Sequence, residues 1–99
     1  MKEDLLKIID TDGVMPQLKY FQSEVFELNE AIIKYEDDKY YMAEQNQLNY
    51  AKQHITEEIA DVTVMLKQFQ YYYRIEDKEI EEVMKQKIER QLNRIDRGE

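Results

Sequence analysis

Apolar residues recur at alternating spacings of three and four along most of this sequence, and very few helix-breaking residues interrupt them. The chain has only two Gly and one Pro in 99 residues, so the turn residues that a β-sheet needs are scarce. Spacings of three and four place apolar side chains on one face of an α-helix. The three long helices predicted in this way run from about Pro16 to Tyr35, from about Leu48 to Tyr73, and from an N-cap at Asp77 to Gly98.

The rest of the chain gives shorter or less regular signals. Lys2 to Ile9 is a short amphipathic segment that the turn-forming run Asp10-Thr11-Asp12-Gly13 is predicted to end. Glu36 to Lys39 breaks the apolar pattern, and the Tyr-bearing segment that follows, as far as Gln47, is predicted to be a loop or an irregular turn. We therefore predict one all-α domain, residues 1–99, forming an antiparallel helical bundle. A chain of this size makes a small core, so we expect homo-oligomerisation to complete the bundle.

Composition excludes several classes of protein. The net charge of −8 argues against binding to nucleic-acid backbone, which requires clustered Lys and Arg. The absence of Cys excludes disulfides, thiolate metal sites and cysteine nucleophiles. Without a signal-like segment or an apolar stretch of membrane-spanning length, a cytoplasmic protein without membrane contact is expected. Acidic excess is usually a solvated surface, but converging carboxylates would attract divalent cations.

Carboxylates three residues apart are common in so acidic a sequence, and helical phase distinguishes them. At about 100° per residue, Glu24 falls within the apolar arc of its helix and Glu27 at the edge of that arc. Glu58 and Asp61 fall among the apolar residues of the next helix, whereas Glu30 points away. The last helix has further pairs of this kind that lie off its apolar stripe and are predicted to be solvated: Glu76/Glu79 and Glu79/Glu82.

Four inward-facing carboxylates are costly unless cations neutralise them. An all-oxygen cluster suits Mg²⁺ or Mn²⁺, and Mg²⁺ commonly bridges protein carboxylates to substrate phosphates. A phosphoanhydride substrate is the implied partner. The structural alternative is neutralisation by basic side chains across the bundle, such as Lys87, Arg90 or Arg94.

The two acidic motifs resemble the signature of the MazG-like all-α nucleotide pyrophosphohydrolases. They are Glu24-x-x-Glu27, within Gln22 to Ile32, and Glu57-Glu58-Ile59-Ala60-Asp61-Val62. The family carries Glu-Glu-x-x-Glu on one helix and Glu-x-x-Asp on the next, and the resemblance spans roughly Pro16 to Ile95. It implies a homodimer or a dimer of dimers that cleaves a nucleoside triphosphate into a monophosphate and pyrophosphate.

The resemblance also implies roles for individual residues. The metal ligands for Mg²⁺ or Mn²⁺ would be Glu24, Glu27, Glu58 and Asp61. The ions would activate a water for attack on the α-phosphorus, with Glu27 and Glu58 as the catalytic carboxylates and Glu27 the candidate general base.

Two departures from the family pattern stand out. Ser23 occupies the place of the first Glu of the family's doublet, so one outer ligand or base is missing or is supplied by water. The long, Tyr-rich link between the two motifs could alter substrate choice.

Further residues are candidates for contact with the substrate. Lys87 and Arg90 resemble basic residues that family members place near the phosphates, although such residues on a terminal helix are usually ordinary surface. Tyr72 shares the column of the carboxylates and is a candidate for contact with the base. His54 shares that column too, and is either a fifth ligand or, more commonly for such a residue, a partly buried, hydrogen-bonded side chain.

Two other functions remain open from the sequence. One is a phosphoribosyl-ATP or deoxyuridine nucleotide hydrolase of the same superfamily. The other is an acidic helical interaction or regulatory module whose carboxylates are salt-bridged. A di-iron bundle is disfavoured because the usual Glu-x-x-His pairs are absent.

Overall fold

The computed structural model describes residues 1–98 and contains four α-helices joined by short links. They are α1 (Lys2–Asp12), α2 (Val14–Tyr40), α3 (Gln45–Tyr72) and α4 (Asp77–Asp96). Residues 1–98 contain no strand, so the all-α prediction is confirmed. Glu99, the last residue of the predicted domain, lies outside the described residues. None of the described helices is both long enough and apolar enough to cross a bilayer.

The first two helices meet at Gly13. The prediction that α1 ends at Ile9 is wrong, because Asp10 to Asp12 continue the helix and only Gly13 leaves it, with φ of 91°. This conformation is open to glycine at little cost. The Gly13 N–H still donates to the Ile9 carbonyl over 2.8 Å. Pro16 lies in the first turn of α2, where its missing N–H costs no hydrogen bond.

The link between α2 and α3 is much shorter than the sequence pattern predicts. Loss of apolar periodicity after Tyr35 suggested a loop, but α2 continues to Tyr40 and only residues 41–44 are non-helical. An ion pair between Lys34 and Asp38, one turn apart, supports this polar end of the helix. Met42 then takes a positive φ of 60°, and the Ala43 N–H donates to the Asp38 carbonyl over 2.8 Å. So tight a link makes α2 and α3 an antiparallel hairpin.

Side-chain contacts fix the register of this hairpin. The beginning of α2 lies against the end of α3: Gln17 Nε2 donates to Gln68 Oε1 over 2.8 Å, and the rings of Phe21 and Phe69 meet edge to face at 5.7 Å. α1 packs across this end, mainly on α3. The buried apolar side chains of residues 1–98 are few and two of them are alanines: Leu5, Ile9, Ala31, Ala51 and Met65.

α4 is held to the rest of the chain only near its start. Glu76, rather than the predicted Asp77, is its N-cap, and the Glu76 N–H donates to Glu79 Oε2 over 2.8 Å. Asp77 accepts hydrogen bonds from Lys67 Nζ at 2.8 Å and from Gln70 Nε2 at 2.7 Å. Within the described residues, α4 does not pack on α1, α2 or α3. Its apolar stripe is therefore exposed along its length: Ile80, Val83, Met84, Ile88, Leu92 and Ile95.

The dimensions of the chain reflect this open arrangement. Its surface is 8256 Å², roughly 2,000 Å² more than the 6,000 Å² or so of a compact monomer of this mass. Its radius of gyration is 17.2 Å, against about 13 Å for a compact domain of this length. The single chain is thus a three-helix bundle, α1 to α3, from which α4 extends.

Candidate metal centre

The helical repeat places one carboxylate from α2 and one from α3 in the buried strip between these two helices. Buried residues recur every seven positions, which is close to two full turns and keeps them on one side of each helix. We call this strip the α2–α3 seam. Its buried members are Gln17, Glu24 and Ala31 of α2 and Ala51, Glu58 and Met65 of α3. Glu24 and Glu58 occupy its middle with only 5% and 8% of their surface exposed, so the inward direction predicted for both is confirmed.

Three of the four predicted metal ligands converge at this point. One carboxylate oxygen from each of Glu24, Glu27 and Glu58 lies within 4.8 Å of the other two. Oxygens that share one ion at about 2.1 Å lie at most about 4.2 Å apart, so small side-chain rotations would close the cluster around a cation. Glu27 is exposed at the rim of the cluster. Asp61 is also exposed and is not part of the converging group, but it lines a cleft beside Glu24.

Within the described residues, the two buried carboxylates have no Lys or Arg partner. Glu24 Oε2 and Glu58 Oε2 are buried and accept no hydrogen bond. Within residues 1–98, no Lys or Arg forms an ion pair with any of the four predicted ligands. The alternative of salt bridges across the bundle has no support in the single chain, because Lys87, Arg90 and Arg94 lie on α4, which extends away.

The electrostatic consequence appears at Glu24. Burial raises the pKa of its carboxyl above the ordinary value of 4.5, and the nearby Tyr20 hydroxyl partly opposes that rise. The negative charges of Glu27 and Asp61 raise the pKa further. The Glu24 carboxylate favours the protonated form of the Tyr20 phenol and so raises the pKa of that phenol above 10.0. A cation at this point would favour the ionised form of Glu24 and so oppose the effect of burial.

A cleft of about 400 Å³ opens beside the cluster, where α1 covers the end of the hairpin. Apart from Glu24 and Asp61, its lining was not anticipated as part of a site. It comprises Ile8, Asp12, Gln17, Tyr20, Val64, Met65 and Gln68. Two of these residues carried a signal in the sequence: Gln17 lies seven residues before Glu24, in the same buried column, and Tyr20 lies four residues before it. The contribution of α1 depends on how it packs, which its sequence does not specify.

The predicted substrate-binding residues lie elsewhere in the single chain. Tyr72 lines a separate cleft of about 780 Å³ formed by α1 and the α3–α4 link. At about 1.5 Å per residue along α3, it is roughly 20 Å from Glu58. Lys87 and Arg90 border a shallow depression on α4 itself. The structure therefore does not bring these three residues to the carboxylates within one chain.

His54 lies beside the cluster. Its Nε2 is 3.2 Å from Glu58 Oε1, and half of its side chain is exposed, more than the partly buried position predicted for it.

No protein-family model, curated protein or solved structure was found to match this chain.

Proposed function

We propose that this protein is a cytoplasmic, Mg²⁺- or Mn²⁺-dependent nucleoside triphosphate pyrophosphohydrolase that releases a nucleoside monophosphate and pyrophosphate. The observation that supports this proposal most directly is the pair of buried carboxylates, Glu24 and Glu58, facing each other across the seam. Each has an oxygen without a hydrogen-bond donor, and neither has a Lys or Arg partner in residues 1–98. Such a pair is unfavourable in a protein interior without a cation.

The donor set favours a hard divalent cation. All converging ligand atoms are carboxylate oxygens, which Mg²⁺ and Mn²⁺ prefer, and no thiolate exists in the chain. Mg²⁺ keeps part of its coordination for water and substrate phosphates, and the adjoining cleft leaves the cluster open on one side. When bound, the cation would lower the pKa of an attacking water and neutralise the pyrophosphate leaving group. The bound cation would thus draw nucleotide phosphates to an otherwise acidic site.

The residues divide into roles by their exposure. Glu24 and Glu58, rigidly placed in the seam, would hold the cation. Asp61, at the cleft, would complete its coordination as substrate enters. Glu27, exposed at the rim and within reach of the cluster, would accept the proton of the attacking water as general base.

A second copy of the chain is part of the proposal. The exposed apolar residues Leu18 and Ile32 of α2 and Ile59 and Leu66 of α3 form a surface that we call the apolar platform. By helical phase they lie about 100° from the seam, and in an antiparallel pair both sets fall on the same side. The exposed surface of the chain exceeds that of a compact monomer by roughly 2,000 Å². Obligate homodimers typically bury an area of this size per chain. In such a dimer, or dimer of dimers, Lys87, Arg90 and Tyr72 of one chain would reach the carboxylates of another.

Pyrophosphate release from a panel of ribo- and deoxyribonucleoside triphosphates tests the proposal. The panel includes dUTP, and phosphoribosyl-ATP is assayed as an additional substrate. Each substrate is tested once with Mg²⁺ and once with Mn²⁺. Wild type is expected to release pyrophosphate. Glu58→Gln should reduce the rate at least a hundredfold, whereas Glu30→Gln, an exposed carboxylate on α2, should behave as wild type. These two variants remove the same charge, so their comparison isolates the cluster.

Release from one narrow group of substrates would identify the branch of the superfamily. No release from any substrate with either metal would contradict the proposal. It would favour the interaction module instead, for which the exposed stripe of α4 provides a surface.

A further inference from the structure

Each buried carboxylate of the seam has a polar neighbour one turn earlier on its own helix. Tyr20 precedes Glu24 by four residues, and the two side chains line the same cleft, close enough for each to shift the pKa of the other. His54 precedes Glu58 by four residues, and its Nε2 lies 3.2 Å from Glu58 Oε1. Residues four apart are neighbours on a helix surface, so both contacts follow from the backbone.

The two neighbours occupy equivalent places. Four residues before a carboxylate is about 40° away from it around the helix. Because α2 and α3 are antiparallel, this rotation carries Tyr20 and His54 to the same side of the seam. The pattern is therefore a repeated arrangement, with one polar neighbour for each buried carboxylate.

His54 approaches Oε1 of Glu58, and the second oxygen of each buried carboxylate is left bare. Glu24 Oε2 and Glu58 Oε2 stay buried without a hydrogen-bond donor. A carboxylate held at one oxygen loses rotational freedom, and its second oxygen is fixed in direction. Neither neighbour contributes much to the core, since Tyr20 is 56% exposed and the His54 side chain 51% exposed.

We propose that Tyr20 and His54 are positioning residues that hold Glu24 and Glu58 with their free oxygens directed into the seam, where they bind a divalent cation. This inference rests on the metal site of the proposed function and adds two residues that the acidic motifs do not include. Hydrogen-bonding groups that orient a metal-ligating side chain typically contribute 10- to 100-fold to metal affinity. An ordinary surface contact between neighbouring turns would instead affect stability alone.

Isothermal titration calorimetry of the 99-residue chain with Mn²⁺ at pH 7.5 tests the positioning role of the two residues. Tyr20→Phe and His54→Ala should each weaken Mn²⁺ binding 10- to 100-fold while leaving thermal unfolding of the metal-free protein nearly unchanged. His54→Gln keeps an N–H donor and should recover a large part of the affinity. The matched controls are Tyr41→Phe and Gln53→Ala, which change exposed side chains that do not contact the seam carboxylates and should bind as wild type does.

The outcomes separate this inference from the proposed function. If wild type binds Mn²⁺, Glu58→Gln does not, and both positioning variants bind within twofold of wild type, the positioning role is refuted and the metal site stands. Equal loss in His54→Ala and His54→Gln would also refute it, because the donor would then be irrelevant. Absence of Mn²⁺ binding by wild type would overturn both the inference and the proposed function.

Discussion

Asp77 shows how a single side chain secures the junction between α3 and α4. Its carboxylate accepts hydrogen bonds from Lys67 at 2.8 Å and Gln70 at 2.7 Å, and the Tyr71 hydroxyl lies 3.5 Å away. The hydrogen bond from Lys67 is the main cause of a pKa below the ordinary value of 3.8. The same contact raises the pKa of Lys67. The ionised form of Asp77 is therefore the form that stabilises the junction.

The sign of the pH dependence follows from this shift. A carboxyl whose pKa is lower in the folded state stabilises the fold fully above its unfolded value, here 3.8, and loses that contribution as pH falls through the folded pKa. The Gln70 side-chain amide signals in an NMR titration should therefore shift with a midpoint below pH 3.8. In Lys67→Met the midpoint should move up toward 3.8. A wild-type midpoint at or above 3.8 would contradict this assignment.

Helical phase predicted the two buried carboxylates of the seam but not their neighbours. A rotation of about 100° per residue was enough to place Glu24 and Glu58 inside, because α2 and α3 are regular helices on which phase alone decides direction. Asp61 was predicted to face inward and is exposed, since its position about 60° from Glu58 brings it to the cleft rather than the seam. Tyr20 was missed because a spacing of four residues from a carboxylate is common on a helix and does not by itself indicate a contact.

At the scale of elements, the existence and order of the helices were predictable and their ends were not. Apolar periodicity reports the burial of apolar side chains, so it faded after Tyr35, even though the helix continues to Tyr40. Local hydrogen bonds and ion pairs maintain that end, and they do not depend on a buried face. The same reason explains the start of α3 at Gln45, three residues before the predicted Leu48.

α4 shows the opposite relation between pattern and packing. Its apolar stripe was recognised from the sequence, but the stripe does not specify which surface covers it. In the single chain it lies against none of the other three helices. An amphipathic helix left unpacked is unfavourable in water, because most helical stability in proteins comes from packing of the apolar face. Its partner surface is therefore expected outside the chain itself.

At the scale of the whole molecule, the small core is the feature to explain. Residues 1–98 contain five buried apolar residues, two of them alanine, which provide little hydrophobic stabilisation against an exposed surface of 8256 Å². The sequence predicted an incomplete core from chain length. It did not predict where the gap would lie, because that depends on which helix faces pair. The apolar platform and the α4 stripe are the exposed faces that a second copy would cover.

Self-association is expected to depend on the apolar platform. Ile59→Glu places a charge in the proposed interface and should weaken dimer formation at least tenfold, because an unpaired charge is costly to bury. Ile33→Glu is the matched control: Ile33 is similarly exposed, at 53% against 50% for Ile59, but lies about 180° from the seam on α2.

Sedimentation velocity at micromolar protein concentration distinguishes the two variants. Wild type and Ile33→Glu should sediment with at least twice the mass of one chain, and Ile59→Glu should shift toward the monomer. A monomeric wild type would contradict the dimer, and an Ile59→Glu variant that associates as wild type does would exclude the platform as the interface.

Thermal unfolding of wild type and Glu24→Gln, with and without Mn²⁺ at equal protein concentration, tests the central claim most directly. The pKa of Glu24 is raised in the fold, so its ionised form destabilises the metal-free protein at neutral pH. Without metal, Glu24→Gln should therefore melt above wild type. With saturating Mn²⁺ the order should reverse, because only wild type gains stability from the cation. Glu58→Gln should likewise gain no stability from Mn²⁺, and Glu30→Gln should follow wild type. A wild type whose melting temperature does not change with Mn²⁺ would contradict the account, as would a Glu24→Gln variant that gains as much stability as wild type.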